Sequence, residues 1–311
     1  MKVLISGGTG LVGHALAMKW LDDGHEVLIV TRSTSSPKRI FPRRQPEYVS
    51  WSDLKLASDQ YHSLDAVVNL AGESINQRWS DAARNRITAS RMVSSRRLLE
   101  WASQLEQKLP LYIGASGISI YGSSLTGVFD ESSSAEGKDF LSDVVRKWEA
   151  ATDQIPAERI VKLRIAPVLA TTSGAFPPML MPFKMFAGGP IGSGKQPFSW
   201  IHLDDIVRLI DFIVTDPSMH GIVNASAPEN VTNEQFGRSI AKVYNRPYWF
   251  PVPAWLLKII FGEMSMLLLE GQRVYPAKAL EHGFTFRYGT VESALRALHD
   301  KPQEQLATTS D

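Results

Sequence analysis

The chain has 311 residues, of which 44% are hydrophobic and 21% are charged. This composition excludes a disordered, collagen-like or small disulfide-stapled protein, and the length suits two domains or one domain with a large extension. The 33 basic and 32 acidic residues nearly balance, so the charge gives no reason to expect nucleic acid or an anionic membrane as the main partner. The absence of cysteine excludes disulfides and thiol catalysis, and it fits a reducing compartment.

No secretory or membrane-spanning segment is predicted. The first apolar run, residues 3–6, is broken by glycines and is too short for a signal peptide. The most apolar late segment, residues 255–269, contains Lys258, Gly262 and Glu263, so it never reaches the roughly 18 uncharged residues of a membrane helix. We therefore expect a soluble, cytoplasmic protein.

The first half of the chain alternates short apolar runs with helical patterns. The pattern predicts a strand at residues 2–6, a helix at 11–22 and a second strand at 26–31. Further along it predicts a loop at 33–46, strands at 48–51, 66–71, 111–116 and 159–165, and helices at 80–109 and 138–154. Strands separated by helices form βαβ units, so we predict an α/β fold with a doubly wound parallel sheet.

The second half has a different character. Prolines and glycines crowd residues 167–197 and predict a long irregular segment. Helices follow at 204–215, with Asp204 as the expected N-cap, and at 233–244, with a strand at 222–225 between them. These features predict a first domain over residues 1–166, to which 199–226 return, a smaller C-terminal α+β domain over 167–300, and a frayed tail over 301–311.

Two apolar stretches of this second half have no assigned function. For residues 179–186, packing in the core or in a lid is the default interpretation, and a pocket wall or an oligomer surface is the alternative. Residues 255–261 are interpreted as part of the core of the smaller domain.

The loop after the first strand carries the clearest functional signal. Gly7, Gly10 and Gly13 have the spacing Gly-x-x-Gly-x-x-Gly between a strand and a helix. The first glycine permits the tight turn, the second lets the backbone approach a pyrophosphate, and the third lets the helix pack closely on the strand. The helix N-terminus then offers free N–H groups to the phosphates. We therefore predict a dinucleotide-binding Rossmann domain.

The end of the second strand predicts which dinucleotide is bound. An acidic residue at this position would bind the ribose 2′-hydroxyl of NAD, but the chain has Thr31 and Arg32 there. The guanidinium of Arg32 suits a 2′-phosphate, so the predicted cofactor is NADP(H). A solvated loop arginine is the alternative.

Together with residues 69–72 and Tyr121-Gly122, these features resemble an extended short-chain dehydrogenase/reductase. More narrowly, the chain resembles the atypical "epimerase family protein" branch, which is similar to nucleoside-diphosphate-sugar epimerases. The matching stretches are residues 69–73, 78–79, 90–91, 147–149, 188–194, 200–202, 262–263 and 270–276. The resemblance implies an NADP(H)-binding Rossmann domain followed by a small C-terminal domain of unknown function.

The resemblance also implies a set of cofactor contacts. The residues that it assigns to the cofactor are Gly7, Thr9, Gly10, Leu11, Val12, Gly13, Thr31, Arg32, Leu70, Ala71, Gly72, Glu73, Arg86, Arg91, Ser116, Pro167 and Val168. Two alternatives stay open. The helix arginines could form a basic solvated face, and Glu73 could belong to a surface ion pair.

The usual acid/base dyad of this superfamily is missing from the sequence. Ordinary members carry Tyr-x-x-x-Lys on the helix after the fifth strand, where the lysine lowers the pKa of the tyrosine. None of the eight tyrosines is followed four residues later by lysine. Alignment on Trp148 and Glu149 puts Leu141 and Val145 at the dyad positions, and two aliphatic side chains cannot move a proton.

Three residues are candidate substitutes for the dyad: Ser116, Tyr121 and His202, with Ser119 close to the first of them. Each has a structural alternative, namely strand-end capping for the serines, one buried hydrogen bond for the tyrosine and a helix- or strand-end contact for the histidine. The histidines show no metal-ligand spacing.

The sequence therefore predicts an NADP(H)-dependent oxidoreductase or epimerase-like enzyme that acts on an unidentified small molecule, as a monomer or homodimer. A non-catalytic NADP(H) sensor is the alternative, since the dyad is lost. A nucleic-acid-binding factor is disfavoured by the net charge of +1, and no membrane partner is expected.

Overall fold

The computed structural model describes residues 1–32, 41, 44–56 and 63–300. The loop predicted at 33–46 lies largely outside the described residues, and the frayed tail predicted at 301–311 lies entirely outside them. The strands are β1 (Lys2–Ser6), β2 (Glu26–Thr31), β3 (Glu47–Ser50), β4 (Ala66–Asn69), β5 (Leu109–Gly117), β6 (Val128–Phe129), β7 (Ala157–Ile165), β8 (Val168–Leu169), β9 (Pro197–Phe198), β10 (Ile201–His202), β11 (Gly221–Ala225), β12 (Val231–Thr232) and β13 (Arg273–Val274).

The α-helices are α1 (Leu11–Asp22), α2 (Trp51–Leu56), α3 (Asp81–Ala102), α4 (Phe140–Thr152), α5 (Phe176–Lys184), α6 (Leu203–Thr215), α7 (Asn233–Val243), α8 (Ala254–Phe261), α9 (Met266–Leu269), α10 (Ala277–Glu281) and α11 (Val291–Asp300). Short 3-10 helices cover Ile118–Tyr121 and Gly262–Ser265.

Seven strands form the central sheet in the order β11-β7-β5-β4-β1-β2-β3, and all their pairings are parallel. The chain leaves β1 towards β2 and β3 and then returns to β4 on the other side of β1. The prediction of a Rossmann-type parallel sheet is confirmed. A doubly wound sheet binds its ligand where the strand order reverses, at the carboxyl ends of the strands, which here is the gap between β1 and β4.

Apolar side chains of β1 alternate between the two faces of the sheet. Val3 and Ile5 belong to a core cluster that includes residues of α1 and α6. Leu4 belongs to a second cluster, which includes Leu98 and Trp101 of α3. The two faces are therefore both covered by helices, as a parallel sheet requires.

Two element predictions need correction. The helix predicted over 80–109 ends at Ala102 with Ser103 as its C-cap, and Leu109, which the following Pro110 restricts to the extended region, instead begins β5. The segment predicted as irregular contains α5, whose Pro177 and Pro178 lie in the first turn, where no intrahelical N–H bond is lost, while Pro182 lies inside the helix.

The C-terminal part has its own apolar cluster, which includes Trp200 and residues of α5, α7 and α11. It is joined to the rest by short strand pairs, β8 with β10 and β6 with β13. Residues 221–225, from the segment predicted to return to the first domain, form the edge strand β11 beside β7.

The core predicted at residues 255–261 is wrong. Only Leu257 of α8 is buried, and Trp255 and Ile259 are exposed. The stretch 179–186 is divided, since Leu180 and Phe183 are buried while its other large side chains reach the surface. A helix at the rim of a domain packs one face only, so its remaining apolar residues stay uncovered.

Candidate functional site

A cleft of about 360 Å³ opens at the carboxyl ends of β1, β4 and β5. Its lining combines the glycine loop, the segment after β4, the end of β5 and one face of α4. The lining residues are Gly7, Gly10, Leu11, Val12, Gly13, Leu70, Gly72, Ile75, Arg91, Ala115, Ser116, Gly117, Ser119, Leu141, Val144, Val145, Trp148 and Ile165. The cleft therefore coincides with the switch point of the sheet.

Two of the three glycines of the Gly-x-x-Gly-x-x-Gly motif have no room for a side chain. Gly7 has a φ of 83°, and a Cβ atom there would lie 2.7–2.9 Å from the backbone of Leu70 and Ala71. A Cβ atom on Gly13 would overlap the carbonyl oxygen of Gly7. At Gly10, by contrast, the nearest atom is the Gly7 oxygen at 3.3 Å. The first and third glycines therefore serve the fold, and the second keeps the mouth of the loop open.

Helix α1 begins directly at this loop with Gly10 as its N-cap, and no side chain caps it. The first turn of a helix has N–H groups without intrahelical partners and carries a partial positive charge. No acidic residue lies in this turn to neutralise that charge. The loop therefore presents backbone donors and a positive helix end to the cleft, which is the arrangement that binds phosphate groups.

Arg91 of α3 brings a fixed cation to the same cleft. Its Nη1 donates to the carbonyl oxygens of Glu73 (3.1 Å) and Ile87 (2.9 Å), and its guanidinium lies 5.0 Å from the ring centroid of Trp148. A Cβ atom on Gly72 would lie 3.0 Å from this guanidinium, so glycine leaves the space that the arginine fills. Burial lowers the pKa of Arg91 to about 10, while the charge of Glu73 opposes this shift. Arg91 is therefore charged at neutral pH.

The structure distributes the predicted cofactor residues over three groups. Those that line the cleft are Gly7, Gly10, Leu11, Val12, Gly13, Leu70, Gly72, Arg91 and Ser116. Thr31 and the exposed Arg32 lie at the carboxyl end of β2, next to β1 on the same edge of the sheet. The others, which lie outside the lining, are Thr9, Ala71, Glu73, Arg86, Pro167 and Val168.

Glu73 and Arg86 form a surface ion pair in the structure. Arg86 Nε lies 3.0 Å from Glu73 Oε1, and Gln77 Nε2 donates to the same oxygen at 2.9 Å. These hydrogen bonds from Gln77 and Arg86 lower the pKa of the Glu73 carboxyl. The sequence analysis left open that Glu73 belongs to a surface ion pair, and the structure shows such a pair with Arg86.

Ser116 is the one of the three candidate catalysts that reaches the cleft. Its Oγ donates to Oε1 of Glu149 at 2.6 Å. Glu149 in turn accepts two hydrogen bonds from Arg164, from Nε at 2.8 Å and from Nη2 at 3.0 Å, and all three residues are buried. Burial lowers the pKa of Arg164, but the hydrogen bonds and charge of Glu149 outweigh burial and raise it above its ordinary value. A charged pair therefore fixes the hydroxyl of Ser116.

Sequence reasoning did not find this network. Glu149 and Arg164 lie on α4 and β7, and no local pattern connects a helix residue with a strand residue 15 positions later. Strand β7 lies between β5 and the edge strand β11 and contains four charged residues, of which only Arg164 is buried. A charge in such a strand needs a buried partner.

The aliphatic residues of α4 form the wall of the cleft opposite the glycine loop. Leu141 and Val145, which the resemblance puts at the dyad positions, both line it, together with Val144 and Trp148. This face of the cleft therefore offers no titratable side chain. Among the lining residues, Ser116 and Ser119 are the only hydroxyl groups.

Tyr121 lies outside the lining of the cleft and is only 2% exposed. Its phenol donates to Oδ1 of Asn224 at 2.8 Å, and its ring stacks on Phe129 and lies 4.8 Å from the Arg164 guanidinium. Burial raises the pKa of Tyr121, although the charge of Arg164 opposes the shift. The phenol is thus committed to a structural hydrogen bond.

His202 also lies outside the lining and caps a helix. Its Nδ1 accepts from the backbone N–H of Asp204 at 3.1 Å, which makes His202 the N-cap of α6. The prediction that Asp204 caps this helix is therefore wrong, because the helix begins one residue earlier than expected. The neighbouring Asp205 is fully buried and accepts from the backbone N–H groups of Arg287 and Tyr288.

Within the described ranges, no group of three or more His, Asp or Glu side chains could hold a metal ion. In the same part of the chain, no helix combines the length and the apolar character that crossing a membrane requires.

Comparison with known proteins agrees with this geometry. The "NAD dependent epimerase/dehydratase family" matches residues 3–140, and "Domain of unknown function (DUF1731)" matches residues 252–298. The chain is 38% identical to the chloroplastic epimerase family protein SDR39U1 homolog of Arabidopsis thaliana over 301 residues, which are 96% of this chain and 86% of that protein. It is 37% identical to the epimerase family protein YfhF of Bacillus subtilis over 301 residues, 96% of this chain and 98% of that protein.

A solved structure is similar over almost the whole chain. The crystal structure of the human epimerase family protein SDR39U1 (isoform 2) with NADPH superposes with a TM-score of 0.87 at 33% identity. The match covers 97% of this chain and 100% of the human chain. The extent and identity of these matches establish that the chain belongs to the epimerase family proteins, with an NAD dependent epimerase/dehydratase domain at its start and a DUF1731 domain towards its end.

Proposed function

We propose that the protein binds NADP(H) in the cleft and acts as an oxidoreductase or epimerase-like enzyme on a small molecule. The observation that carries the proposal is the glycine loop. Gly10 is open to the cleft, and the uncapped first turn of α1 faces the same space. Backbone donors at a positive helix end, with no side chain in the way, suit the pyrophosphate of a dinucleotide.

The residues present fit such a nucleotide. Gly10 lines the cleft and carries no side chain, so the backbone can approach the phosphates closely there. Arg91 adds a positive charge that its bonds to two carbonyl oxygens hold in place. The human relative, which is similar over its full length, was crystallised with NADPH.

Arg32 supports NADP(H) rather than NAD(H). It is exposed at the carboxyl end of β2, the strand next to the glycine loop, where an NAD-binding protein of this fold carries an acidic residue. A guanidinium at this position matches the geometry and charge of a 2′-phosphate.

Ser116 is the residue that we propose to contact the reacting oxygen of the substrate. The nucleotide, when bound, would supply or accept a hydride. Because the Ser116 hydroxyl donates to Glu149, its lone pairs can accept a hydrogen bond from a substrate hydroxyl in the cleft. As that hydroxyl is oxidised, its proton would pass to Ser116 Oγ while the Ser116 proton moves along its hydrogen bond to Glu149 Oε1, and reduction would reverse both transfers. Arg164 is a positioning residue that holds Glu149 in place.

Tyr121 and His202 are weaker candidates for this role. The polar atoms that they would use are engaged with Asn224 and with the start of α6, and both side chains lie outside the lining of the cleft. A fixed polar group inside the cleft also supports an enzyme over the alternative of a non-catalytic sensor.

Binding is tested by calorimetric titration of the purified chain with NADPH and NADH. We expect Arg32→Ala to weaken NADPH at least tenfold and to change NADH less than twofold, because only NADPH carries the 2′-phosphate. Equal weakening of both nucleotides would contradict the assignment of Arg32. If the unmodified chain binds neither nucleotide, the proposed function is wrong.

The glycine loop has a matched pair of variants. Gly10→Ala needs a shift of only a few tenths of an ångström, and Gly289→Ala makes an ordinary 3.6 Å contact with Pro228 far along the chain. We expect both variants to fold, and only Gly10→Ala to weaken NADPH by tenfold or more. Unchanged affinity in Gly10→Ala would remove the loop from the binding site.

Catalysis is tested by a screen of small carbonyl compounds and alcohols for nicotinamide oxidation or reduction. On any substrate found, Ser116→Ala should reduce kcat by roughly 100-fold, the lower range for loss of a proton-handling group. Tyr121→Phe and His202→Asn serve as controls and should leave kcat within a few-fold. If Tyr121→Phe or His202→Asn reduces kcat strongly while Ser116→Ala does not, the proton transfer belongs to Tyr121 or His202 instead.

A further inference from the structure

The C-terminal part carries an exposed apolar surface that the proposed function does not use. It comprises the end of α5, the segment before α8 and one side of α8, and we define it by Met185, Phe186, Trp249, Phe250, Trp255 and Ile259. These six side chains are between 55% and 68% exposed, and none of them lines the cleft. Large apolar groups in a continuous exposed patch mark an interaction surface rather than ordinary surface scatter.

Backbone hydrogen bonds hold this surface together. The N–H groups of Trp249 and Phe250 donate to the carbonyl oxygen of Gly188 at 2.9 and 3.1 Å, and Nε1 of Trp249 donates to the oxygen of Phe186 at 2.8 Å. A Cβ atom on Gly189 would overlap the backbone of Phe250. The exposed aromatic rings are therefore displayed by a fixed framework, not by a frayed segment.

The second layer of this framework is packed. Phe183 and Tyr248 stack beneath the surface with ring centroids 6.3 Å apart. In α8, Leu257 is the buried residue that attaches the helix to the protein. Trp255 and Ile259 are four positions apart, so they lie on the same face of α8. Helix α8 thus presents an apolar face outward.

The two segments that build the surface, residues 174–192 and 246–262, contain Lys184, Arg246 and Lys258 and no aspartate or glutamate. The acidic residues beside them, Glu263 and Glu234, are paired with Arg84 and Arg238. Both lysines are exposed, and the Arg246 guanidinium lies 4.7 Å from the ring centroid of Phe186. The chain as a whole has a net charge of only +1, so this surface is a local basic region.

From this combination we infer that the surface binds the headgroup region of a phospholipid bilayer that contains anionic lipid. Tryptophan is enriched where membranes meet water, and lysine stems lie along apolar surface while the ammonium group stays in water. Basic residues close to an anionic membrane are attracted to it. The sequence analysis expected no membrane partner because the net charge of the whole chain is close to zero. The local positive charge of this surface instead favours binding to an anionic membrane.

A second copy of the chain fits this surface less well. A two-fold interface brings the same patch of both subunits together, so two sets of Lys184, Arg246 and Lys258 would be gathered in one dry apolar contact, to which the two segments bring no acidic residue. Like charges in such a contact are costly. An anionic lipid surface instead supplies charges of the opposite sign.

The test is co-sedimentation of the full chain with phosphatidylcholine vesicles, with and without 30% phosphatidylglycerol. We expect the fraction bound to be at least fivefold higher with phosphatidylglycerol and to fall as salt is raised from 50 to 500 mM, because salt screens the charges. Equal or absent binding on both vesicle types would overturn the inference.

Variants locate the contact. The double variant Trp255→Ser/Ile259→Ser should lose most vesicle binding, and Lys184→Gln/Lys258→Gln should lose the preference for phosphatidylglycerol. Leu125→Ser is the matched control, since Leu125 is 61% exposed and lies outside these segments, and it should bind as the unmodified chain does.

Two further measurements separate the other outcomes. Light scattering that finds a dimer in solution, dissociated by Trp255→Ser/Ile259→Ser, would assign the surface to a second copy and overturn the lipid proposal. Calorimetry with NADPH should give the same affinity in this double variant and in the unmodified chain. A failure of the lipid proposal can therefore be told apart from a failure of the proposed NADP(H) binding.

Discussion

Strand β4 and helix α8 are both apolar, yet they occupy opposite environments. All four residues of β4 are buried, because β1 and β5 flank the strand and helices cover both faces of the sheet. Of the eight residues of α8, only Leu257 is buried. The comparison teaches that apolar character decides burial only where the topology supplies cover on every side.

A buried polar network should contribute more to stability than the whole exposed face of α8. We expect Glu149→Leu to lower the free energy of unfolding by about 3–5 kcal/mol, because it leaves the Arg164 charge buried without its partner. Urea denaturation followed by circular dichroism measures this change. The double variant Glu149→Leu/Arg164→Met should recover most of the loss, and a double variant as unstable as the single one would contradict the explanation.

The comparison of strand and helix is tested directly by two aliphatic truncations. Leu4 of β1 is fully buried and Ile259 of α8 is 68% exposed. Leu4→Ala should cost about 2–5 kcal/mol through lost burial and a cavity, while Ile259→Ala should stay within about 0.5 kcal/mol. The same denaturation experiment compares them, and similar losses in both would mean that α8 is covered in solution.

The smallest effect is expected from the buried cap of α6. Burial lowers the pKa of His202, and Arg287 lowers it further, while Asp204 and Asp205 oppose the shift. At pH values between this lowered pKa and the ordinary value near 6.5, His202 is protonated in the unfolded chain but not in the folded chain. The free energy of unfolding should therefore fall as pH falls below about 6.5, by at most about 1.4 kcal/mol per pH unit.

His202→Asn isolates this contribution, since asparagine also caps helices but does not titrate. The difference in urea midpoint between pH 7 and pH 5 should be smaller in the variant than in the unmodified chain. If both chains show the same difference, His202 is protonated equally in the folded and unfolded states.

Much of the cleft could be predicted from the sequence because its signals are local. Gly7, Gly10 and Gly13 lie within seven consecutive residues. Arg32 directly follows β2, the next strand along the chain. Leu70 and Gly72 directly follow the apolar strand β4. Each of these signals is complete within a few consecutive residues, so no tertiary contact is needed to recognise it.

The opposite wall of the cleft could not be predicted in the same way. Val144 and Trp148 reach the cleft only because α4 packs beside β5. The sequence named Tyr121 and His202 as candidates beside Ser116. Only the packing shows that their polar atoms bond to Asn224 and to the start of α6.

The sequence by itself determined the alternation of the main strands and helices in the first half, the parallel sheet and the phosphate-binding loop, because periodicity and turn chemistry are properties of neighbouring residues. Only the tertiary structure decided that Glu149 and Arg164 fix Ser116, and that Trp255 and Ile259 face outward. Both outcomes depend on which surfaces meet when distant segments pack, and that is a property of the whole fold.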